Sequence, residues 1–204
     1  MSLTNLPFSS AMSQYSIVPE YQQIVQRTLG LALHRYNRIC ALRFDLRFPE
    51  QLQYQDPAVI SRFIDSFKAH LRAWDNQRRS SHPIGFCYLW CREQHNSSNW
   101  HYHVVFLFNK DAVCGFGNNL LDGSSMYSRI QSAWASAIGL TAPQADGLVH
   151  ICKNGTYWID QRSAEFPSQL AAASERFSYL AKRETKQFDD GNRNFGSSQQ
   201  LYMS

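Results

Sequence analysis

The chain has 204 residues, 44% of them hydrophobic, enough for one domain with a core of ordinary size. Twenty Lys and Arg against sixteen Asp and Glu give a formal net charge of +4, mildly basic and compatible with nucleic acid without demanding it. No stretch is long and apolar enough to span a bilayer, and Met1-Ser2-Leu3-Thr4-Asn5 is not the charged start of a secretory signal, so a cytoplasmic protein with no membrane partner is expected.

Residues 1 to 18, rich in Ser, Asn and Pro, read as a flexible N-terminal arm. Pro19 starts a helix to about Arg38, where Ile24, Leu31 and Ala32 recur at helical spacing and Val25, Leu29 and Leu33 widen the stripe. Cys40 to Phe48 alternates as a first strand, with Leu42, Phe44, Leu46 and Phe48 on one face and Arg43, Asp45 and Arg47 on the other; Pro49 stops it. Asp56-Pro57 opens a helix to about Arg79, with Ile60, Phe63, Ile64, Phe67 and Leu71 inward and Arg72, Arg78 and Arg79 in its last turns.

Ile84 to Glu93 reads as a second strand, the run His95-Asn96-Ser97-Ser98-Asn99 as a turn, and Trp100 to Phe108 as a third strand paired antiparallel with the second. Asp122 or Ser124 caps a helix that Gly139 ends, its inner face Met126, Ile130, Ala133, Trp134 and Ala137. Gly147 to Cys152 is a fourth strand, Asn154-Gly155 a turn signal and Tyr157 to Ile159 a short fifth strand. Pro167 opens a last helix to about Glu184, and residues 186 to 204 read as a polar tail. The order predicts an α+β domain over residues 19 to 185, an antiparallel sheet of about five strands with helices packed on it.

Five cysteines (Cys40, Cys87, Cys91, Cys114 and Cys152) lie mostly in strand-like apolar context and read as reduced small hydrophobes of a cytosolic protein. Cys87 and Cys91 form a C-x3-C pair, but no second pair completes a zinc site.

The chemistry gathers at the head of the third strand. Side chains alternate along a strand, so His101 and His103 share a face, about 6.5–7 Å apart along it, and two imidazoles at that spacing can grip one divalent cation. Tyr102 points the other way. Across the hairpin, Glu93 is the natural third ligand, with Gln94 and His95 as substitutes if the register turns Glu93 away. His150, mid-strand, reads as a packed histidine. On the last helix, Tyr179 shares a face with Arg176, Lys182 and Arg183; their positive field favours phenolate and attracts phosphate.

His101-Tyr102-His103 and Tyr179-Leu180-Ala181-Lys182 together resemble the His-hydrophobe-His and Tyr-x-x-Lys signatures of rolling-circle replication initiators, the HUH endonuclease superfamily. More narrowly, Arg43-Phe44-Asp45-Leu46-Arg47, Glu93 followed by His101 to Val105, Ser178 to Lys182 and Arg193-Asn194-Phe195-Gly196-Ser197-Ser198 look like inovirus-type initiators and their prophage YagK/YfjJ-like relatives, over about residues 35 to 200. Asp45 departs from the broad family, where many members have threonine.

The resemblance implies an HUH or RRM-like palm and a bacterial host cell. It implies a site-specific endonuclease acting on single-stranded DNA or an origin hairpin, with host replication proteins as further partners. Tyr179 would be the nucleophile that becomes a 5′-phosphotyrosine, Lys182 its electrostatic partner, His101, His103 and Glu93 the ligands of Mg²⁺ or Mn²⁺, and Arg176, Arg183 and Arg43 the DNA contacts. Two other readings fit the same residues: a catalytically silent prophage DNA-binding protein of this fold, for which Arg72, Arg78 and Arg79 would serve equally, and a non-haem iron oxygenase, whose facial triad is also two histidines and a carboxylate.

Overall fold

The computed structural model describes residues 15–51, 56–94, 99–117 and 124–199. Helix α1 (Pro19–Arg35) leads to strand β1 (Arg38–Leu46), α2 (Val59–Gln77), the hairpin β2 (Phe86–Glu93) and β3 (His101–Asn109), then α3 (Met126–Ala137), β4 (Val149–Asp160), α4 (Phe166–Ser178) and β5 (Phe195–Ser197). The strands form one antiparallel sheet in the order β4-β1-β3-β2-β5, so the expected α+β architecture holds. Strand β3 lies in the middle because Val104 to Phe108 is apolar at every position and can be buried on both faces.

Alternation divides the sheet into two cores. Cys40, Leu42, Phe44, Phe86, Trp90, Tyr102, Val104 and Phe106 face α2 and α3, where Phe44, Phe63, Phe67 and Phe106 meet ring to ring at centroid distances of 4.5–6.4 Å. Rings of this size contribute about 1.5–3 kcal/mol each on burial. Trp134 is fully buried in the same core and donates from Nε1 to the Arg47 carbonyl at 2.8 Å. On the other face, Ile39, Ala41, Cys87, Leu89, Val105 and Leu107 pack against Val25, Leu29, Ala32 and Leu33 of α1 and Leu170, Ala173 and Phe177 of α4. The second face changes from apolar to polar toward one end, where Arg43, Asp45, Glu93, His101 and His103 continue the same alternation.

Several boundaries differ from the sequence expectation, each for a local reason. Asn154-Gly155 is a bulge inside one strand, not a hairpin turn: residues on both sides of it pair with β1, and four residues of β4, 152 to 155, stand opposite Arg43. Asn154 takes φ 54°, and a Cβ on Gly155 would lie 2.5 Å from the Arg43 carbonyl oxygen. The N-cap of α3 is Ser125, in a reciprocal box with Ser128, rather than Ser124; Asp122 lies outside the described residues.

The arm read over residues 1 to 18 is fixed at its end, since Ile17 bridges Lys182 and the Val18 amide donates to the Ala181 carbonyl at 2.9 Å; residues 1–14 lie outside the described residues. The stretch read as a polar tail supplies β5, which pairs with β2 from Leu89 to Cys91, so the sheet extends past residue 185. Its polar composition hid the strand. Within β5 only Phe195 brings apolar bulk, and Gly196 is there because the Trp90 indole lies where a Cβ would be. All five cysteines are free, with Cys114 alone exposed.

Candidate metal centre

The β2–β3 register sets Glu93 opposite His101 and Cys91 opposite His103, and the β1–β3 register sets Asp45 opposite His103. Glu93 therefore faces the histidines, as its place across the hairpin suggested. Glu93, His101 and His103 each offer a ligand atom, all within 4.8 Å of one another. The two Nε2 atoms are 3.2 Å apart, and Glu93 Oε2 is 3.3 Å from His103 Nε2.

Asp45 stands behind this group. Its Oδ1 lies 2.6 Å from His103 Nδ1, so it accepts the Nδ1 proton and turns Nε2 toward His101 and Glu93. A carboxylate behind a ligating histidine fixes the ring and its tautomer. Burial would raise the Asp45 carboxyl, but the His103 hydrogen bond and charge and the Arg43 guanidinium bring it to about 2.

Glu93 is likewise held ionised: burial opposes its charge, and the bonds and charges of His103 and Lys186 outweigh burial. Burial and the neighbouring His103 push His101 down to about 4, which leaves a neutral ring with a lone pair to give. His103 moves upward; burial disfavours its charge, but bonds to Asp45 and Glu93 dominate. One carboxylate and two imidazole nitrogens suit Mn²⁺ better than Mg²⁺, which prefers an all-oxygen shell. The donor set fits a divalent cation.

Tyr179 is beside this group, its ring centroid 6.5 Å from that of His103. The expected helix face around it does not form, because α4 stops at Ser178 and Tyr179–Ala181 make a 3₁₀ turn. In that tighter turn residues i and i+3 eclipse, which sets Lys182 directly over Tyr179. Lys182 Nζ donates to the Tyr179 hydroxyl at 2.7 Å and lies 4.4 Å from its ring centroid. Burial opposes the Lys182 charge, but the Tyr179 bond and Glu93 hold its pKa above the usual value.

The second cation at Tyr179 comes from β1: the Arg43 guanidinium is 5.8 Å from the ring centroid, and Arg43 is 4% exposed with a buried Nε that has no hydrogen-bond partner among the described residues. Arg183 turns away onto the Phe188 ring, and Arg176 acts on Tyr157. His150 is exposed and bonds to the Ile151 carbonyl. Arg78 is occupied by Asp75 and Trp74 at the end of α2, on the opposite side of the sheet. His95 lies outside the described residues.

Lys186 is the residue that sequence reasoning missed. Its side chain is 0% exposed, and Nζ donates to Glu93 Oε1 at 3.0 Å and to the Lys182 carbonyl at 2.6 Å. It joins a metal-ligand candidate to the segment that carries Tyr179. No local pattern marks it, because it depends on the chain turning back after the 3₁₀ turn. Alternation puts Asp45 on the face of Arg43, and the β1–β3 register then sets it opposite His103.

The chain matches the model of the YagK/YfjJ C-terminal domain over residues 4–198, and it belongs to that family. It is 36% identical to the uncharacterized protein YagK of Escherichia coli K12 over 193 residues, covering 88% of this chain and 92% of YagK. It is 29% identical to the uncharacterized protein YfjJ of the same strain over 202 residues, covering 90% of this chain and 95% of YfjJ. No solved structure matches it. Among the described residues no helix is long and apolar enough to cross a membrane.

Proposed function

We propose that the protein is an HUH-type, metal-dependent nicking and joining enzyme for single-stranded DNA, acting as a rolling-circle replication initiator. One observation carries the reading: a Glu-His-His donor group within 4.8 Å lies beside a tyrosine whose hydroxyl is held by a lysine at 2.7 Å. A structural cluster would need no nucleophile, and an oxygenase triad would leave Tyr179, Lys182 and the buried Arg43 without a task.

Glu93, His101 and His103 hold the cation; Mg²⁺ or Mn²⁺, when bound, polarises a phosphate and offsets developing negative charge. Arg43 binds and orients the scissile phosphate through the donors it does not spend on the protein. Lys182 donates to the Tyr179 oxygen and orients it, a cation placed to offset charge that develops there during attack. That oxygen forms a bond to phosphorus as the bond to the 3′ oxygen breaks. The leaving group departs as a 3′-hydroxyl, taking up the proton that Tyr179 gives up. The 5′-phosphotyrosine retains the phosphodiester energy, so return of a 3′-hydroxyl can rejoin the strand.

The test is incubation with a pool of labelled single-stranded DNA and Mn²⁺, followed by a denaturing gel. A covalent adduct is expected from the wild type and none from Tyr179→Phe, which keeps the ring and should bind DNA normally. No adduct from the wild type, or one that persists in Tyr179→Phe, would overturn the assignment.

A further inference from the structure

A cleft of about 380 Å³ opens at the rim of the sheet next to His101 and His103, in the size range of small-molecule sites. Its remaining walls include Arg47, Phe48, Glu50, Asn99 and Trp100. Trp100 directly precedes His101, so the cleft begins where the proposed metal centre ends. We propose that this cleft is a nucleobase subsite in which Trp100 stacks on a base of single-stranded DNA adjacent to the scissile phosphate; the inference rests on the nicking reading above.

The wall is built in advance. The Arg92 guanidinium lies 4.2 Å from the Trp100 ring centroid and is only 2% exposed. Arg92 is in turn held by Asp190, whose two oxygens accept at 2.8 and 2.6 Å, and by Asn194 Oδ1 at 2.9 Å. A partly buried indole braced on one side by an immobilised cation loses little freedom when a second flat group stacks on it. The opposite wall is tied to the first, since Asn99 Nδ2 donates to the Pro49 carbonyl at 3.0 Å. The backbone of Arg47 is pinned at both ends, its amide to Leu148 and its carbonyl to Trp134, while its side chain is exposed.

The chemistry of the lining favours a base over a bare phosphate. A phosphate site collects donors, whereas this cleft also presents the carboxylates of Asp45 and Glu50 and the Phe48 ring. A heterocycle uses these groups: a face for Trp100, acceptors for the donor Arg47 and ring or exocyclic N–H donors for Glu50.

The probes are two eight-residue strands, oligo-dT and its fully abasic counterpart, titrated against full-length protein in EDTA so that no metal chemistry intervenes. The wild type should bind oligo-dT the tighter, and Trp100→Ala should reduce that ratio by between about fivefold and about a hundredfold. Trp100→Leu, which keeps bulk for packing, should lose as much as Trp100→Ala, and Trp100→Phe should keep most of it. Circular dichroism of each variant decides which pair is compared if alanine unfolds the chain. A wild type that does not distinguish the two strands, or a ratio unchanged in both Trp100→Ala and Trp100→Leu, would overturn the subsite. Base-dependent binding lost in Trp100→Leu, with no adduct from the wild type in Mn²⁺, would support the subsite while removing the nicking reading.

Discussion

Asp45 Oδ1 lies 2.6 Å from His103 Nδ1, on the side of the imidazole away from His101 and Glu93. The two residues are cross-strand partners in the β1–β3 ladder, so backbone pairing itself delivers the carboxylate to the ring. Asp45→Asn keeps the shape but removes the charge and leaves the ring tautomer unspecified. Loss of such a partner typically reduces metal affinity by about 10- to 100-fold. Titration calorimetry with Mn²⁺ should show that loss with the fold intact; an unchanged affinity would mean that Asp45 does not set the ring.

Most of the sheet and the histidine pair were legible because they obey a period of two. Alternation along β1 and β3 assigned faces correctly from Leu42 to Leu46 and from His101 to His103, and the hairpin brought Glu93 near them. What stayed hidden depends on contacts between distant segments. Strand β5 has three residues, one of them glycine, and exists because Trp90 covers Gly196. Helical periodicity could not show that α4 gives way to a 3₁₀ turn at Tyr179, so Arg43 rather than Arg183 became its second cation.

The bulge in β4 gives a second prediction. Gly155 has no room for a methyl group, with the Arg43 carbonyl oxygen 2.5 Å and the Cys152 carbonyl oxygen 2.7 Å from where a Cβ would sit. Gly155→Ala must push β1 and β4 apart at Arg43, costing about 1–3 kcal/mol of stability. Because Arg43 also approaches Tyr179, DNA affinity should fall as well. Urea unfolding and a DNA titration check both, and unchanged stability would mean that the bulge is more compliant than its geometry.

The Arg92–Asp190 pair predicts an acid dependence. Burial would raise the Asp190 carboxyl, but the Asn192 amide and Arg92 lower it below its ordinary value. A carboxyl with a depressed folded-state pKa adds stability that is fully present above the unfolded pKa of about 3.9 and lost as pH falls through the folded value. Asp190→Asn should remove this contribution and lower the stability at neutral pH. Fully buried pairs lose about 3–5 kcal/mol; here water reaches Asp190, and Asn194 still partners Arg92. Unfolding measured at pH 7 and near pH 3 should show the wild type and the variant converging at the lower pH. A constant gap would exclude Asp190 titration as its source.

Lys186 supplies the last prediction. Its ammonium is 3.0 Å from Glu93 Oε1, with side-chain exposures of 0% and 3%, while Glu93 Oε2 faces His103. One oxygen is thereby spent on Lys186 and the other is left for a cation, so Glu93 would bind a metal through a single atom. Lys186→Met keeps the volume of the side chain and removes its charge. Without metal, Glu93 then becomes a buried carboxylate that has lost its contacting ammonium and keeps His103, with Cys91, Thr185 and the more distant Lys182 as lesser partners. Breaking a buried pair in this way costs about 3–5 kcal/mol. With Mn²⁺ present, the ion supplies the positive charge that Lys186 had supplied. The variant should melt well below the wild type in EDTA, recover more of its melting temperature on adding Mn²⁺, and bind Mn²⁺ more tightly because no ammonium repels it. Thermal melts with and without Mn²⁺, together with calorimetry, read all three effects. Weaker Mn²⁺ binding by a folded Lys186→Met protein would show the reverse balance, in which Lys186 serves the site by holding Glu93 in place more than it opposes the incoming cation.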